Sequence, residues 1–182
     1  MDRQTRIALL VDHFKRPRHK HPLDDADARV PGGNPGCGDL VTMYVRAEPG
    51  ENRIAEVGFE GEGCTISQAA ASILAERMNR KKPAFEEIAE LTYEQMIDLL
   101  GRDIVGSRPR CATLALGTLK AAVKRIEMDR KLRSAGRSEE EIAKMRAVIE
   151  SQAAGTDLVF GEAAEELAAK GRPADAPKPG EI

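Results

Sequence analysis

The sequence contains no tryptophan, and aromatic residues make up only 3% of the chain. Basic and acidic residues nearly balance, at 28 against 30, so the formal net charge is only −2. This balance excludes a strongly basic nucleic-acid-binding protein and a strongly acidic tail protein. No run of about 18 apolar residues occurs, which excludes a transmembrane helix and leaves no reason to expect a membrane partner. The N-terminal residues also lack the apolar block of a secretory signal.

Cysteine is scarce and odd in number, because the 182 residues include only Cys37, Cys64 and Cys111. A disulfide scaffold is therefore not expected, and the sequence predicts a protein of the reducing cytoplasm. The length predicts one compact domain and some additional residues outside it. We place the boundary near 127–137, with a domain over 1–127 and a C-terminal extension over 128–182. The extension is expected to be partly helical and then disordered, since its end is rich in proline.

Hydrophobic alternation predicts a small antiparallel sheet. Residues 41–45 and 55–59 alternate apolar and polar side chains on either side of a Pro-Gly turn, which is typical of a hairpin. A short strand near 27–30 adds a third strand, whereas the proline- and glycine-rich residues 31–39 are predicted to be a loop. A helix over 3–14 precedes the sheet, capped by Asp2.

Helical periodicity follows the sheet. It predicts one helix from Thr65 with a Thr65–Gln68 capping box, two short helices within 84–100, a loop over 101–110, and a helix over about 112–126. Ser138 and Glu141 form a second possible capping box, which would open a helix through about 153. The fold class is therefore α+β: a three-stranded antiparallel sheet with helices packed on one face, plus the extension.

The three cysteines occupy places that favour the thiolate. Cys37 lies in a glycine loop, and Cys64 and Cys111 immediately precede predicted helices, where exposed N–H groups lower a thiol pKa. Asp39 is two residues from Cys37, and side chains at i and i+2 of an extended chain point to the same side. Together the four residues offer three sulfurs and one oxygen, a plausible tetrahedral set for zinc or for an iron–sulfur cluster. The competing interpretation is that free cysteines are small buried hydrophobic residues.

Other candidates carry less chemistry. The basic residues 15–21 are either a solvated loop or a docking patch for an acidic partner surface. His13, His19 and His21 lie in or near this segment, and any of them is an alternative fourth ligand or proton carrier. Ser67 and Ser72 show no evident histidine–carboxylate arrangement, so a serine hydrolase is not predicted. No phosphate-binding glycine motif is present.

Four motifs, in order, carry a resemblance to a known family: DHFKRPRHKHPL, NPGCGD, FEGEGCTISQAAASIL and RCATLALGTLKAAV. Over about residues 5–126 the chain resembles the U-type iron–sulfur assembly scaffolds, which include IscU, SufU and the N-terminal domain of NifU. The resemblance implies that Cys37, Asp39, Cys64 and Cys111 form the site for zinc or a [2Fe–2S] cluster. It also implies a cysteine desulfurase as sulfur donor, with Cys37 or Cys111 accepting persulfide sulfur, and iron–sulfur acceptor proteins as recipients of the cluster.

Departures from the family pattern favour a SufU-like member. The IscU branch has histidine immediately before its third cysteine, where this chain has Arg110, and a guanidinium is not a metal ligand. The gap from Cys64 to Cys111 is, however, short for the insertion typical of SufU. The function implied is a cluster scaffold rather than a classical enzyme. Alternatives are a zinc-bound sulfur acceptor for a SufS-type desulfurase, a structural zinc module for protein contact, and a thiol redox protein.

Overall fold

The structure, a computed structural model, describes residues 1–152 and 158–171. Its helices and strands alternate as α1 (Arg3–Lys15), β1 (Ala28–Asn34), β2 (Asp39–Ala47), β3 (Ile54–Glu62), α2 (Thr65–Lys81), α3 (Phe85–Glu90), α4 (Tyr93–Leu100), α5 (Arg102–Val105), α6 (Pro109–Ser134), α7 (Glu139–Gln152), β4 (Val159–Phe160) and α8 (Glu162–Lys170). The class is α+β, as predicted. The proline-rich end of the extension lies outside the described residues. No described helix is both long and apolar enough to cross a membrane.

Within the described residues the sheet has four strands in the order β3-β2-β1-β4, all antiparallel, so the prediction of three strands was wrong. The predicted hairpin is β2 and β3, with Val45 opposite Val57. The missed strand β4 comes from the extension, where two residues carry too little periodicity to be recognised. The residues Pro31-Gly32-Gly33, predicted to be loop, belong to β1, and the two glycines pair on both sides. Their strand conformation is imposed by neighbouring strands rather than by intrinsic preference.

Helices α2 and α6 pack on the sheet and on each other, and α1 packs on α2. The core between them is formed largely by small and aliphatic side chains, because closely packed helices need small residues at their contacts. Its fully buried members include Val41, Met43, Phe59, Ala70, Leu74, Leu114 and Leu119. The helical periodicity of the sequence thus marks the face of α2 and of α6 that packs against this core.

Helix termini match the sequence signals in most cases. Asp2 accepts a hydrogen bond from Thr5 N at 2.9 Å, and Gly101 ends α4. Ser138 and Glu141 form the predicted reciprocal capping box. The predicted Thr65–Gln68 box is wrong, because the N-cap of α2 is Cys64 and the Thr65 hydroxyl is buried without a hydrogen-bond partner.

Helix α6 is much longer than predicted, with 26 residues that begin at Pro109 and end at Ser134. Proline at the first helical position explains the early start, since that position needs no N–H donor. The predicted loop over 101–110 also contains the short helix α5. The proposed domain boundary near 127–137 therefore falls within the last turns of α6 and the link to α7, where Arg146 pairs with the buried carboxylate of Asp129.

Candidate metal and sulfur site

The four residues singled out in the sequence meet at one end of the sheet. Cys37 lies in the turn between β1 and β2, and Asp39 is the first residue of β2. Cys64 is the N-cap of α2. Cys111 lies inside the first turn of α6 rather than before the helix, since α6 begins earlier than expected. Elements far apart in sequence thus deliver three sulfurs and one carboxylate to the same place.

The turn that carries Cys37 is organised by Asn34. The backbone N–H groups of Cys37 and Gly38 both donate to the Asn34 carbonyl, at 3.1 and 2.8 Å. The Asn34 side chain accepts a hydrogen bond from Gly36 N at 3.2 Å, and its Nδ2 lies 3.6 Å from Cys111 Sγ. Asparagine side chains commonly bond to the backbone two residues on, which explains why this turn begins at an Asn-Pro pair. Asn34 therefore joins the Cys37 turn to α6.

Donor atoms of three of the four residues are close enough to share one ion, and the fourth lies beside them. Cys37 Sγ and Cys111 Sγ are 3.6 Å apart, too far for a disulfide and close for two free thiols. One ligand atom each from Cys37, Asp39 and Cys111 lie within 4.8 Å of one another. Cys64 Sγ joins this group through Asp39, whose Oδ2 is 3.6 Å away.

The Asp39 carboxylate is held in place by the start of α2. It is fully buried and accepts a hydrogen bond from Cys64 N at 2.9 Å. Gly63 makes this approach possible, because a Cβ there would stand 2.6 Å from Asp39 Oδ1 and from Ser67 Oγ. The lack of a side chain at Gly63 therefore allows the backbone to close on the site.

Cys64 and Cys111 titrate as a pair. A hydrogen bond from the Cys111 side chain, more than any other contact, lowers the pKa of Cys64 to about 7. The same hydrogen bond, together with burial, raises the pKa of Cys111, which keeps its proton. One thiolate is thus favoured before any metal binds, and metal binding would remove the remaining thiol protons.

Two separations among the donor atoms suit a tetrahedral thiophilic metal. With metal–sulfur bonds of about 2.3 Å and metal–oxygen bonds of about 2.1 Å, tetrahedral angles require about 3.8 Å between two sulfurs and about 3.6 Å between sulfur and oxygen. The Cys37–Cys111 and Cys64–Asp39 separations are both 3.6 Å. Soft thiolates select zinc and iron over magnesium or calcium.

A cleft of about 340 Å³ opens onto the sulfurs of Cys37 and Cys111, and Arg108, Pro109 and Arg110 line it. The guanidinium groups stand beside a donor set that carries negative charge. Cys37 is half-buried, whereas Cys64 and Cys111 are fully buried. A reagent arriving through the cleft therefore meets Cys37 as the most accessible sulfur.

The histidines are engaged elsewhere among the described residues. His13 Nδ1 lies 2.8 Å from Ser72 Oγ, and His21 Nδ1 lies 3.0 Å from Pro22 O. The His19 carbonyl accepts a hydrogen bond from Phe59 N at the outer edge of β3. The basic segment 15–21 is thus anchored along α2 and β3, and Asp12 pairs with two of its arginines.

Ser72, contrary to the sequence analysis, does meet a histidine and a carboxylate: His13 Nδ1 contacts its hydroxyl, and His13 Nε2 lies 3.8 Å from Glu76 Oε2. This arrangement is nonetheless unsuited to hydrolysis. The Ser72 hydroxyl is fully buried and accepts a hydrogen bond from Arg18 N at 2.8 Å, so it is inaccessible to a substrate. These contacts fasten α1 and the basic segment to α2.

Asn34 and Ser67 are site residues that the sequence reasoning did not single out. Ser67 Oγ donates to Cys64 O at 3.1 Å and lies 3.8 Å from Cys64 Sγ. The signal for Asn34 was its place before proline in the glycine loop. The signal for Ser67 was its place three residues after Cys64, since a serine at this distance from a helix N-cap can bond back to it.

Comparison with known proteins identifies a family over most of the chain. Residues 7–133 match the family model described as the NifU-like N-terminal domain. The chain belongs to this family. It is 32% identical over 114 residues to a protein of Archaeoglobus fulgidus named iron-sulfur cluster assembly scaffold protein IscU 1, covering 63% of this chain and 71% of that protein. It is 30% identical over 134 residues to the Bacillus subtilis zinc-dependent sulfurtransferase SufU, covering 65% of this chain and 89% of that protein.

The fold of this NifU-like chain also matches solved structures. The N-terminal part of a nitrogen-fixing NifU-like protein from Brucella abortus superposes with a TM-score of 0.56 at 17% identity, covering 66% of this chain and 92% of that one. At this identity the likeness establishes the fold alone. These three proteins each leave about a third of the chain outside the match, and the family match ends within α6.

Proposed function

We propose that this protein is an iron–sulfur cluster assembly scaffold that accepts sulfur from a cysteine desulfurase and passes a nascent [2Fe–2S] cluster to acceptor proteins. The observation that carries the proposal is the gathering of Cys37, Asp39 and Cys111 donor atoms within 4.8 Å of one another, with Cys64 Sγ 3.6 Å from Asp39 Oδ2. Relatives named as scaffolds support it. The proposed site residues are Cys37, Asp39, Cys64 and Cys111. The proposed location is the reducing cytoplasm, where cysteine thiols stay free.

Sulfur would arrive by exchange at Cys37. Its thiolate attacks the outer sulfur of the desulfurase persulfide, the sulfur–sulfur bond of the donor breaks, and the donor cysteine leaves as a thiolate. A persulfide is then carried by Cys37, and no external oxidant or reductant is needed. The partial exposure of Cys37 favours it as first acceptor, and Cys111 lies 3.6 Å away to receive sulfur next.

A second candidate function is zinc-dependent sulfur relay. Two observations favour it: the relative named zinc-dependent sulfurtransferase SufU, and Arg110 beside the site, which offers no metal ligand. In this case zinc would be held by the same four residues. It would keep the thiolates deprotonated and order the surrounding loops.

Anaerobic reconstitution separates the two functions. The protein would be incubated with ferrous iron, cysteine and a cysteine desulfurase, and then analysed for bound metal, acid-labile sulfide and visible absorption. A stable chromophore with matching iron and sulfide supports assembly. Stoichiometric zinc, no chromophore and faster desulfurase turnover support relay. If the wild-type protein takes up neither metal nor sulfur, both proposed functions are overturned.

Mass spectrometry after a short exposure to desulfurase and cysteine tests the acceptor. Persulfide on Cys37 is expected to appear first, and Cys37→Ser is expected to reduce total persulfide by at least about tenfold. Cys111→Ser is the matched control, because it removes a buried sulfur of the same site. Early persulfide on Cys111 with none on Cys37 would contradict the proposed order.

A further inference from the structure

The extension returns to the sheet beyond the family match. Strand β4 pairs with the end of β1, with Phe160 opposite Gly32 and Val159 opposite Gly33. Gly161 N also donates to Pro31 O at 2.8 Å, and α8 packs along β1. We name residues 158–171 the C-terminal clamp. The clamp occupies the edge of β1 at the point where this strand leads into the Cys37 turn.

The end of β1 has little tendency to be a strand by itself. Proline lacks an N–H donor, and glycine has no side chain to pack on a sheet. The clamp supplies part of the missing packing, next to Thr118 of α6, whose side chain also lies against Gly32. Phe160 Cδ1 and Leu167 Cδ2 stand 3.2 and 2.7 Å from where a Cβ would lie on Gly32 and Gly33, so their side chains rest directly on the strand backbone.

This contact is adjacent in sequence to the group that organises the site. Gly33 immediately precedes Asn34, whose carbonyl accepts hydrogen bonds from both Cys37 N and Gly38 N. The Asn34 side chain is fully buried against Cys111 Sγ. Any shift of the end of β1 therefore moves the common acceptor of the Cys37 turn and the amide beside the second sulfur.

We propose that the C-terminal clamp positions the Cys37 turn, so that Phe160 and Leu167 act on the site through Gly32, Gly33 and Asn34. The relevance of this to metal and sulfur handling rests on the proposed function, but the positioning itself does not. In this chain the extension would thus be part of the site's supporting structure rather than an independent tail. Interactions of this supporting kind commonly change metal affinity although they touch no metal.

Amide hydrogen exchange of the full-length, metal-free protein tests the positioning. In Phe160→Ala and in Leu167→Ala, exchange of the Cys37 and Gly38 amides is expected to accelerate by at least about fivefold, because their acceptor is released. Amides of the β2–β3 ladder around Val45 are expected to keep their rates. Unchanged rates at the two turn amides, or an equal acceleration throughout the chain, would overturn the proposal.

Phe85→Ala is the matched control. Phe85 is a fully buried phenylalanine at the start of α3, bonded to Asn52 O at the opposite end of the sheet. Its removal is expected to destabilise the protein at least as much as Phe160→Ala, but without selective acceleration at Cys37 and Gly38. Selective acceleration of these amides in Phe85→Ala as well would show that they report general loosening and would overturn the proposal.

Zinc titration against a competing chelator supplies the second measurement. Phe160→Ala is expected to weaken zinc binding by about tenfold, the size seen when residues that support metal ligands are lost. Cobalt substituted for zinc reports the site geometry by its visible spectrum, which is expected to change in Phe160→Ala and not in Phe85→Ala. If the wild-type protein binds no zinc, the zinc-dependent relay fails while the exchange measurement still decides the positioning.

Discussion

At the scale of single residues, one side chain can serve both the packing of the fold and the chemistry of the site. Asn34 organises a turn with its backbone and contacts a sulfur with its side chain. The sequence placed Cys37 and Asp39 on one side of the chain and Cys64 and Cys111 next to helix starts. It thus predicted the four as one ligand set, which the family resemblance also implied. That these residues hold a metal remains a prediction. The contacts of Asn34 with Cys111 and of Gly63 with Asp39 were beyond the sequence, because both join segments distant along the chain.

Asp39→Asn tests the carboxylate at nearly constant volume. The amide oxygen still accepts a hydrogen bond from Cys64 N, but the negative ligand is lost, so zinc affinity is expected to fall by at least about tenfold. Chelator competition measures the change, and the fold is checked by circular dichroism. Asp98→Asn, an exposed carboxylate paired with Arg102, is the control and is expected to bind zinc like the wild type. Equal affinity in both variants would remove Asp39 from the ligand set.

His13 predicts a pH dependence of stability. Burial, more than any other cause, lowers the pKa of His13, so the unfolded chain binds a proton at a pH where the folded protein does not. The contribution of His13 to the free energy of unfolding is therefore fully present above about pH 6.5. It decreases as the pH falls below that value. In His13→Gln this contribution is expected to vanish, as measured by urea denaturation at several pH values. His21→Gln, at an exposed histidine, is expected to keep the wild-type slope.

At the scale of helices and strands, the sequence succeeded where periodicity was sustained and failed where neighbours decide. The β2–β3 hairpin and most helix termini follow from alternation and capping residues. The last residues of β1 do not, since glycine and proline adopt a strand there only because β2, β4 and α8 surround them. The full length of α6 was missed because its polar later turns face solvent and the extension rather than the central core.

Gly33→Ala tests the contact between β1 and α8. A Cβ there would approach Leu167 Cδ2 to 2.7 Å and Val159 Cγ2 to 3.0 Å. The overpacking is expected to lower the free energy of unfolding by about 1–3 kcal/mol. In the double variant with Leu167→Ala the losses are expected to be less than additive by at least about 0.5 kcal/mol, because the clash is relieved. Leu167→Ala combined with Phe85→Ala is the control, and these distant losses should add.

At the scale of the whole molecule, the extension is joined to the family domain by three kinds of contact. Helix α6 continues past the predicted boundary at 127, β4 completes the sheet, and Arg146 reaches the buried Asp129 from α7. The sequence indicated an extension because its residue pattern changes near the predicted boundary. A charged pair and a two-residue strand, however, have no sequence signature. A boundary at 127–137 therefore marks where the likeness to the family ends, and we expect no unfolding boundary there.

Arg146→Met tests this joining of the two parts. It leaves the carboxylate of Asp129, which is 2% exposed, without its partner, and the expected loss is about 3 kcal/mol. Because the segments fold together, thermal unfolding is expected to stay a single transition at a lower midpoint. Lys144→Met, which breaks the exposed pair with Glu140, is expected to change stability by no more than about 0.5 kcal/mol. A separate early transition in the wild-type protein would show that the extension unfolds independently.

The outer strand β3 offers few unsatisfied backbone groups. Asn79 bonds to both Val57 N and Val57 O, while Ile54 N and Phe59 N donate to the carbonyls of Pro83 and His19. On the opposite margin β4 is only two residues long. Since unpaired strand margins are templates for association between copies, the described part of this molecule is protected against sheet-to-sheet polymerisation and aggregation. A protein whose proposed work requires a reactive, partly accessible thiol thereby leaves few backbone groups free to pair with its own copies.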